Sequence, residues 1–310
     1  MKTFYNIISV CFVILTVNYS IQAQQLPNSS HLGETRSAWN PALTAPAKHM
    51  VVDGFFRMQW LGFQGAPLSG FASLQYPFIK QNMSAGAYLM VDKTGPVNKV
   101  GLQFNYAYKM KEVFTRHGQL SLGVSGSLQQ YSYNGADAIY TDFDDALINN
   151  SKYSSFFPSA GMGFYYTSNT REYVGNAFFI GAGINQLFST QILVNDYDQQ
   201  RLKHIHFNVG GRFGYYDSYL EPMITANLVE PGLIDVLYSL RYELENAFWA
   251  GAGFSNVGMA AIQGGVIIDR FGNRYSKLRL GVLANYGITS TLSKAGPGFE
   301  FYIAYNFNLK

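Results

Sequence analysis

The chain has 310 residues, of which only 13% are charged and 16% are aromatic, and it contains 31 glycines. Ordinary soluble domains are about 25% charged, so this composition argues against a typical soluble protein. The formal net charge of +3 is scattered along the chain and gives no basis for nucleic-acid binding, so we expect no nucleic-acid partner. Abundant aromatic residues and glycines are instead typical of transmembrane β-barrels.

Residues 1–23 have the features of a secretory signal peptide. A basic start precedes an apolar stretch from Phe4 to Val17, and the bond between Ala23 and Gln24 is a plausible cleavage site. Cys11, the single cysteine, lies within the apolar stretch, so we expect a mature chain without disulfides, Cys-bound metals or a Cys nucleophile. No later apolar run reaches the roughly 18 residues that a membrane helix needs. These features predict export to the outer membrane of a Gram-negative cell.

Residues 24–49 differ from the rest of the chain, because they contain three prolines and show little alternation of polar and apolar residues. The clearest feature is Asn40-Pro41-Ala42-Leu43. Pro41 fixes its own backbone angle and disfavours a helical conformation at Asn40. We predict an ordered, non-strand segment that lies on the periplasmic side of a barrel or plugs its lumen.

Residues 50–310 are predicted to form the barrel. In Phe299–Phe307, large apolar residues alternate with others that include Glu300 and Asn306. Because successive strand side chains point to opposite faces, one face is apolar and the other is mixed. The repetition of this pattern predicts an all-β, transmembrane, antiparallel up-and-down barrel of about fourteen strands, apolar outside and polar inside. The predicted strands are Met50–Trp60, Leu68–Phe78, Met83–Asp92, Val97–Met110, Gly118–Tyr131, Phe156–Thr167, Val174–Leu187, Lys203–Tyr216, Tyr219–Val229, Leu233–Leu244, Ala247–Ser255, Gly258–Asp269, Lys277–Tyr286 and Pro297–Asn308.

An even number of strands places both ends of the barrel sequence on the periplasmic side, and connections after odd-numbered strands are then external. The two longest predicted connections, Ser132–Ser155 and Phe188–Leu202, both follow odd-numbered strands. Long external loops and short periplasmic turns are the usual asymmetry of such barrels. We therefore predict that these two connections lie outside the cell.

The sequence offers weak candidates for catalysis or metal binding. His204 and His206 lie two positions apart, so both face the lumen, but no third metal ligand accompanies them. Asp142, Asp144 and Asp145 lie in a long connection whose spacing does not match an EF-hand calcium loop. No nucleophile, base and acid can be named as a set. We therefore expect a non-enzymatic protein without a cofactor or a bound metal.

Several short segments follow one another in a distinctive order. They are Asn40-Pro41-Ala42-Leu43, Arg57-Met58-Gln59-Trp60, Pro67-Leu68-Ser69, Asp92-Lys93-Thr94-Gly95-Pro96, Phe179-Ile180-Gly181-Ala182-Gly183-Ile184-Asn185-Gln186-Leu187 and Gly298-Phe299-Glu300. As an ordered set, they resemble the PorP/SprF-like outer-membrane proteins of the type IX secretion system of Bacteroidetes. The resemblance spans nearly the whole mature chain.

This resemblance implies an outer-membrane barrel that works with the secretion machinery and has no enzymatic activity. It implies two protein partners: a large secreted surface protein, held through its C-terminal domain, and a periplasmic lipoprotein of the machinery. The outer-membrane lipid surrounds the wall. The alternative is an outer-membrane channel for small solutes, because a barrel of fourteen strands is wide enough to enclose water.

We predict that partner-binding sites lie at the two ends of the barrel, because lipid covers its wall. Aromatic side chains on polar loops resemble interface anchors, although some of them could belong to the outer aromatic girdle. The candidates at the external end are Tyr131, Tyr133, Tyr140, Phe143, Tyr153 and Tyr197. The candidates at the periplasmic end are Trp39, Asn40 and Pro41.

Overall fold

The structure, a computed structural model, describes residues 35–135, 152–171, 173–187, 191–194, 197–200, 203–229, 233–272, 276–290 and 292–308. Fourteen antiparallel strands form a closed barrel, as the alternation predicts. A separate two-stranded sheet, β8 with β9, lies between β7 and β10 in the chain. The strands are β1 (His49–Met58), β2 (Leu68–Phe78), β3 (Met83–Thr94), β4 (Val97–Lys111), β5 (Gln119–Asn134), β6 (Lys152–Thr167), β7 (Ala177–Asn185), β8 (Gln191–Val194), β9 (Tyr197–Gln200), β10 (His204–Tyr215), β11 (Ser218–Val229), β12 (Leu233–Leu244), β13 (Phe248–Ser255), β14 (Met259–Asp269), β15 (Ser276–Gly287) and β16 (Gly298–Asn308).

The barrel closes between its first and last strands. β1 pairs with β16 in a register that joins His49 to Asn308 and Met58 to Phe299. Both ends of the barrel sequence therefore lie at one rim, which we name the terminus end. The opposite rim, the long-loop end, carries the two long connections, from 135 to 151 and from 186 to 203.

The two faces of the wall differ as the sequence predicts. On β16, Phe301 and Ile303 are 51% and 53% exposed. Glu300 and Tyr302, which alternate with them, are 0% and 4% exposed. The outward side chains form an apolar surface, and the inward ones fill a polar interior. A closed barrel leaves no edge strand, so each of its fourteen strands pairs with a neighbour on both sides. Among the described residues, no helix is long and apolar enough to span a membrane.

Most strand boundaries agree with the predicted ones, but those of β5, β6 and β7 differ. β5 continues to Asn134 and β6 begins at Lys152, and these two residues are cross-strand partners. Much of the predicted connection Ser132–Ser155 is therefore strand. β7 starts at Ala177 rather than Val174, and the connection after it contains the β8–β9 hairpin.

Candidate functional site

Residues 35–45 are largely buried inside the barrel and form two short 3-10 turns, Arg36–Ala38 and Pro41–Leu43, whereas Pro46 and Lys48 after them are exposed. Asn40 starts the second turn, because its side-chain Oδ1 accepts a 3.0 Å hydrogen bond from the backbone N–H two residues later. Pro41 occupies the first position of that turn, where a backbone N–H would have no partner within the turn. The Asn-Pro pair noted in the sequence therefore shapes this lumenal segment, as we call residues 35–48.

The wall formed by β6 and β7 holds one side of the lumenal segment. Asn40 Nδ2 donates a 2.9 Å hydrogen bond to the backbone oxygen of Phe164, and Asn185 Nδ2 donates one of 2.8 Å to the backbone oxygen of Trp39. Asn40 is completely buried. A Cβ atom at Gly183 would lie 2.5 Å from the Trp39 backbone oxygen, so the close approach of segment and wall requires glycine there.

Strand β4 holds the same segment with two side-chain amides. Gln103 Nε2 donates to the Ala38 backbone oxygen over 3.1 Å, and Asn105 Nδ2 donates to the Ser37 backbone oxygen over 2.9 Å. Buried backbone carbonyls need a hydrogen-bond partner, and a segment without long helix or strand cannot supply one for each. The inward-facing polar side chains of the wall supply them instead.

The opposite flank of the lumenal segment borders a cavity of about 300 Å³ at the terminus end of the barrel. We name this space the terminus-end cavity. Its lining is strongly charged and includes aromatic hydroxyls. The charged and hydroxyl-bearing side chains that line it include Arg36 and Ser37 of the segment, and Tyr173, Arg212, Tyr219, Glu221, Arg241, Glu243, Lys277 and Arg279 of the wall and its connections.

Glu243 is the centre of the charged lining. Its carboxylate accepts hydrogen bonds from Arg279 over 2.8 Å, from Tyr219 over 2.9 Å and from Tyr173 over 2.7 Å. Arg241, two positions earlier on β12, also donates to it. The Glu243 side chain is only 2% exposed, so the arginines stabilise a charge that burial alone would make costly.

A second carboxylate, Glu221 on β11, joins the barrel wall to the lumenal segment. Arg212 binds it through both Nε and Nη2, at 2.9 Å and 2.8 Å. Arg36 of the segment approaches the other carboxylate oxygen at 3.9 Å and lies over the ring of Phe179, 5.4 Å from its centroid. The segment is therefore attached electrostatically to the β7–β11 side as well as by hydrogen bonds to β4, β6 and β7.

Tyr173 lies in the connection between β6 and β7, outside the strands. Burial and the adjacent Glu243 carboxylate raise the pKa of the Tyr173 hydroxyl well above its ordinary value. The hydroxyl therefore keeps its proton and acts as a donor to Glu243 throughout the physiological pH range. Lys277 lies 5.8 Å from the Tyr173 ring centroid, so it contributes positive charge beside this donor.

The aromatic candidates at the long-loop end are only partly described. Tyr131 and Tyr133 lie on β5, half buried, at positions that share the inward-facing side of the strand, whereas the prediction ended this strand at Tyr131 and placed Tyr133 in the connection. Tyr133 is the cross-strand partner of Tyr153 on β6. Tyr197 belongs to β9. Tyr140 and Phe143 lie outside the described residues.

The three candidates at the terminus end are all buried. Trp39 is 8% exposed, Asn40 is fully buried, and Pro41 is also buried, all within the barrel. In this arrangement they contact the wall. Their role in binding a partner stays a prediction, and it requires that the lumenal segment moves away from the barrel wall.

The candidate metal ligands His204 and His206 both lie on β10. His206 is buried on β10, and its Nδ1 atom forms a hydrogen bond with Oδ1 of Asn227 on β11. The described part of the chain contains no group of three or more His, Cys, Asp or Glu residues that could hold a metal ion. Asp142, Asp144 and Asp145 lie outside the described residues.

The sequence profile of the PorP/SprF family, described as a type IX secretion system membrane protein, matches residues 21–305. The chain belongs to this family. The resemblance stated from the sequence is thereby confirmed. The family and the fourteen-stranded barrel together identify an outer-membrane protein of the type IX secretion system. No curated protein matches the sequence of this PorP/SprF protein significantly.

Solved structures share the fold of this PorP/SprF protein. The CymD monoaromatic hydrocarbon channel aligns with a TM-score of 0.55 and 11% identity, over 92% of this chain and 95% of that one. The Pseudomonas putida toluene transporter TodX aligns with a TM-score of 0.54 and 8% identity, over 91% of this chain and 95% of that one. At these identities the similarity establishes a common outer-membrane barrel fold and nothing about substrates.

The charged lining of this PorP/SprF protein was not singled out from its sequence. Most members of the network lie far apart in the chain: Glu243 and Arg279, for example, are separated by 36 positions. A usable signal was nevertheless present, because Glu221, Arg241 and Glu243 all occupy inward-facing positions of strands. Charges at such positions in a barrel must find partners across the lumen.

Proposed function

We propose that this PorP/SprF protein is a non-enzymatic barrel of the type IX secretion system that helps to secrete or retain large surface proteins through their C-terminal domains. We further propose that it contacts periplasmic components of the machinery, including a lipoprotein. Membership of the family supports the association with secretion. The structural observation that supports the proposal, in addition to the family, is the position of the lumenal segment. It lies within the barrel and forms hydrogen bonds with the wall on several sides.

A segment bound in this way favours a binding role over free passage of solutes. Asn40 and Thr44 are completely buried between segment and wall. A channel for small solutes would need this space to be filled by water instead. The hydrocarbon channels CymD and TodX share only the fold, so their transport does not carry over to this chain. A channel for small solutes is therefore the alternative function, and the experiments below distinguish it from the binding function.

The long-loop end supports a binding surface for a secreted protein. β5 and β6 are sixteen residues long and are paired as far as Asn134 and Lys152, which makes them the longest described strands of the wall. Tyr131 and Tyr133 lie near this rim on β5. Large aromatic side chains bury much area for little loss of conformational entropy, which is why they recur at protein interfaces.

The paired ends of β5 and β6 make a sharp test possible. Because Asn134 and Lys152 are partners, residues 135–151 can be replaced by an Asn-Gly hairpin turn without altering the wall. We expect this variant to form a barrel but to lose capture of a reporter fused to the C-terminal domain of a secreted surface protein. The matched control replaces residues 112–118, which join the partners Lys111 and Gln119 at the terminus end, with the same turn.

The control variant should capture the reporter at the wild-type level. Retention of the reporter by the variant that lacks 135–151 would overturn the assignment of the binding surface. Conductance of the purified wild-type protein in a planar bilayer tests the alternative. A steady open pore would favour the solute channel, whereas a closed barrel supports a binding function.

A further inference from the structure

Strand β6 has a neighbour on both sides along only part of its length. It pairs with β5 over the whole strand, from Thr167 to Lys152. Its ladder with β7 is much shorter and runs only from Thr167 to Met162. One further hydrogen bond follows, in which the backbone N–H of Leu187 donates to the backbone oxygen of Ala160 over 3.0 Å. The rest of β6 therefore projects beyond β7 at the long-loop end.

The strands that follow β7 around the barrel end at the same low level. Asn185, the last residue of β7, pairs with His204, the first residue of β10, and His204 pairs with Val229, the last residue of β11. The β8–β9 hairpin forms a sheet of its own. In the part of the chain that the structure describes, no strand lies beside the projecting part of β6 on this side.

The backbone groups of alternate residues point towards this open side. In an antiparallel strand, the N–H and C=O of one residue point to the same neighbour, and those of the next residue point to the other neighbour. Ala160 accepts from the β7 side, and Ser168 donates to Phe178 of β7, so the even-numbered residues face β7. Ser154 and Phe156 therefore direct their N–H and C=O groups into the open side, where no described backbone group is hydrogen-bonded to them.

Pro158 explains why the pairing with β7 ends where it does. Its position is even-numbered, so its nitrogen faces the β7 side, and proline has no N–H to donate there. Within sheets, proline is confined to edges and to other positions that need no ladder hydrogen bond. The nitrogen does not face β5, so the ladder with β5 continues past Pro158 to Lys152. The result is an open edge on a strand that is firmly paired on its other side. We name residues 152–156 the β6 edge.

The chemistry of the β6 edge specifies its occupant. Donors and acceptors recur along it at every second residue, roughly 6.6–6.8 Å apart, and an extended polypeptide presents complementary groups at the same spacing. Such an edge is a template for a further strand. Phe156 is 61% exposed on the outer face and lies where the apolar part of β6 ends, and unpaired backbone groups next to a membrane are costly. Pairing with an added strand removes that cost.

We propose that the β6 edge binds the secreted partner by accepting one of its segments as an added β-strand. The exposed side chains of the edge predict an apolar residue of that segment beside Phe156 and a polar or acidic residue beside Lys152. Residues 135–151 lead directly into Lys152, so this connection and the β6 edge belong to one binding surface. The inference rests on the proposed function, because it names the contact through which the secreted protein is held.

A pair of substitutions at Ser154 tests the strand pairing. Ser154→Pro removes the N–H that faces the open side and places a ring there, and the ladder with β5 does not use this N–H. Ser154→Ala is the matched control, because it keeps the N–H. Both variants lose the same 2.8 Å hydrogen bond from Gln130 Nε2 to the serine hydroxyl. We expect capture of the reporter fused to the C-terminal domain to fall about tenfold in Ser154→Pro and to stay at the wild-type level in Ser154→Ala.

Disulfide trapping provides a second test that does not depend on proline. Ser154→Cys is combined with reporters that carry a single cysteine at successive positions of the C-terminal domain. Side chains of a paired strand alternate between two faces, so cross-links should form at every second position of one segment. The matched control is Met162→Cys, because Met162 is also exposed on β6 but is paired with both β5 and β7. It should give no cross-link.

The possible failures separate this inference from the proposed function. Wild-type capture by Ser154→Pro, equal loss in Ser154→Ala, or cross-links without a two-residue period would overturn strand addition while the barrel still binds its secreted partner. Absence of capture by the wild-type protein itself would overturn the proposed function together with the inference. Heat-dependent gel mobility checks that each variant forms the barrel, and the trapping experiment keeps the test decisive if Ser154→Pro does not.

Discussion

The side-chain amide of Asn185 on β7 donates a hydrogen bond to the backbone oxygen of Trp39 over 2.8 Å, although the two residues are 146 positions apart in the chain. The contact illustrates how the lumenal segment is held. Its short turns leave backbone carbonyls without partners inside the segment, and inward-facing amides of the wall donate to them. The conformation of residues 35–48 is therefore determined mainly by the barrel around them.

The first prediction concerns the close approach at Gly183. In Gly183→Ala, the new Cβ would lie 2.5 Å from the Trp39 backbone oxygen and 2.9 Å from the Asn40 Cα, so the lumenal segment must move. We expect faster cleavage by trypsin after Arg36 and Lys48 than in the wild type, measured by mass spectrometry of the released peptides. The barrel itself should still show heat-dependent gel mobility.

The control for this experiment is Gly126→Ala on β5, because no atom lies within 4 Å of the Cβ that it adds. It should be cleaved at the wild-type rate. Equal cleavage of Gly183→Ala and the wild type would show that the wall does not position the segment at Trp39.

The second prediction concerns the buried carboxylate of Glu243. Glu243→Gln leaves the charges of Arg241 and Arg279 without their shared carboxylate, and removing one partner of a buried ion pair typically costs about 3–5 kcal/mol. Glu245→Gln, in a pair that is about a third exposed, should cost at most about 1 kcal/mol. Urea-induced unfolding of the barrel in lipid vesicles measures both. Similar losses in the two variants would contradict the central role of Glu243.

The strand pattern could be predicted from the sequence wherever lipid imposes alternation. Leu68–Phe78 and Leu233–Leu244 were predicted with the boundaries that the structure has. The errors lie where this constraint weakens. Beyond Tyr131, where the predicted strand ends, β5 continues through Ser132–Asn134, in which polar residues flank Tyr133 and no apolar alternation is left. At such rims a strand is maintained by pairing with its neighbour, which a single sequence does not report.

The terminus-end cavity was beyond sequence reasoning for a different reason. The alternation of side chains along a strand predicts which face of the wall Glu221 or Arg279 occupies. It does not predict which inward-facing side chain lies across the lumen from either of them. That depends on the register and stagger of all fourteen strands and on the position of the lumenal segment. The segment itself was recognised as ordered from Pro41, yet its contacts with β4, β6 and β7 depend on the closed barrel.

The third prediction tests the lipid-facing side of the wall. Ile303 lies at the middle of β16 and is 53% exposed. Ile303→Arg should destabilise the barrel by about 2–4 kcal/mol in lipid vesicles, because a charge near the membrane midplane loses its hydration. Ile303→Leu keeps the apolar surface and should cost less than about 1.5 kcal/mol. A negligible effect of arginine would mean that this face does not contact the membrane core.

The last prediction concerns the orientation of the barrel. Gln64 lies in the connection between β1 and β2 at the long-loop end, and Arg116 lies in the connection between β4 and β5 at the terminus end. Both are exposed, and Cys11 lies in the predicted signal peptide, so single cysteines at these positions should be the reactive thiols of the mature chain. We expect an impermeant maleimide to label Gln64→Cys on intact cells.

Arg116→Cys should react with the same reagent only after the outer membrane is permeabilised, because short turns and both ends of the barrel sequence belong to the periplasmic side. The two variants serve as controls for one another, since each has one exposed cysteine and differs only in the rim that carries it. The opposite labelling pattern would place the terminus-end cavity at the cell surface.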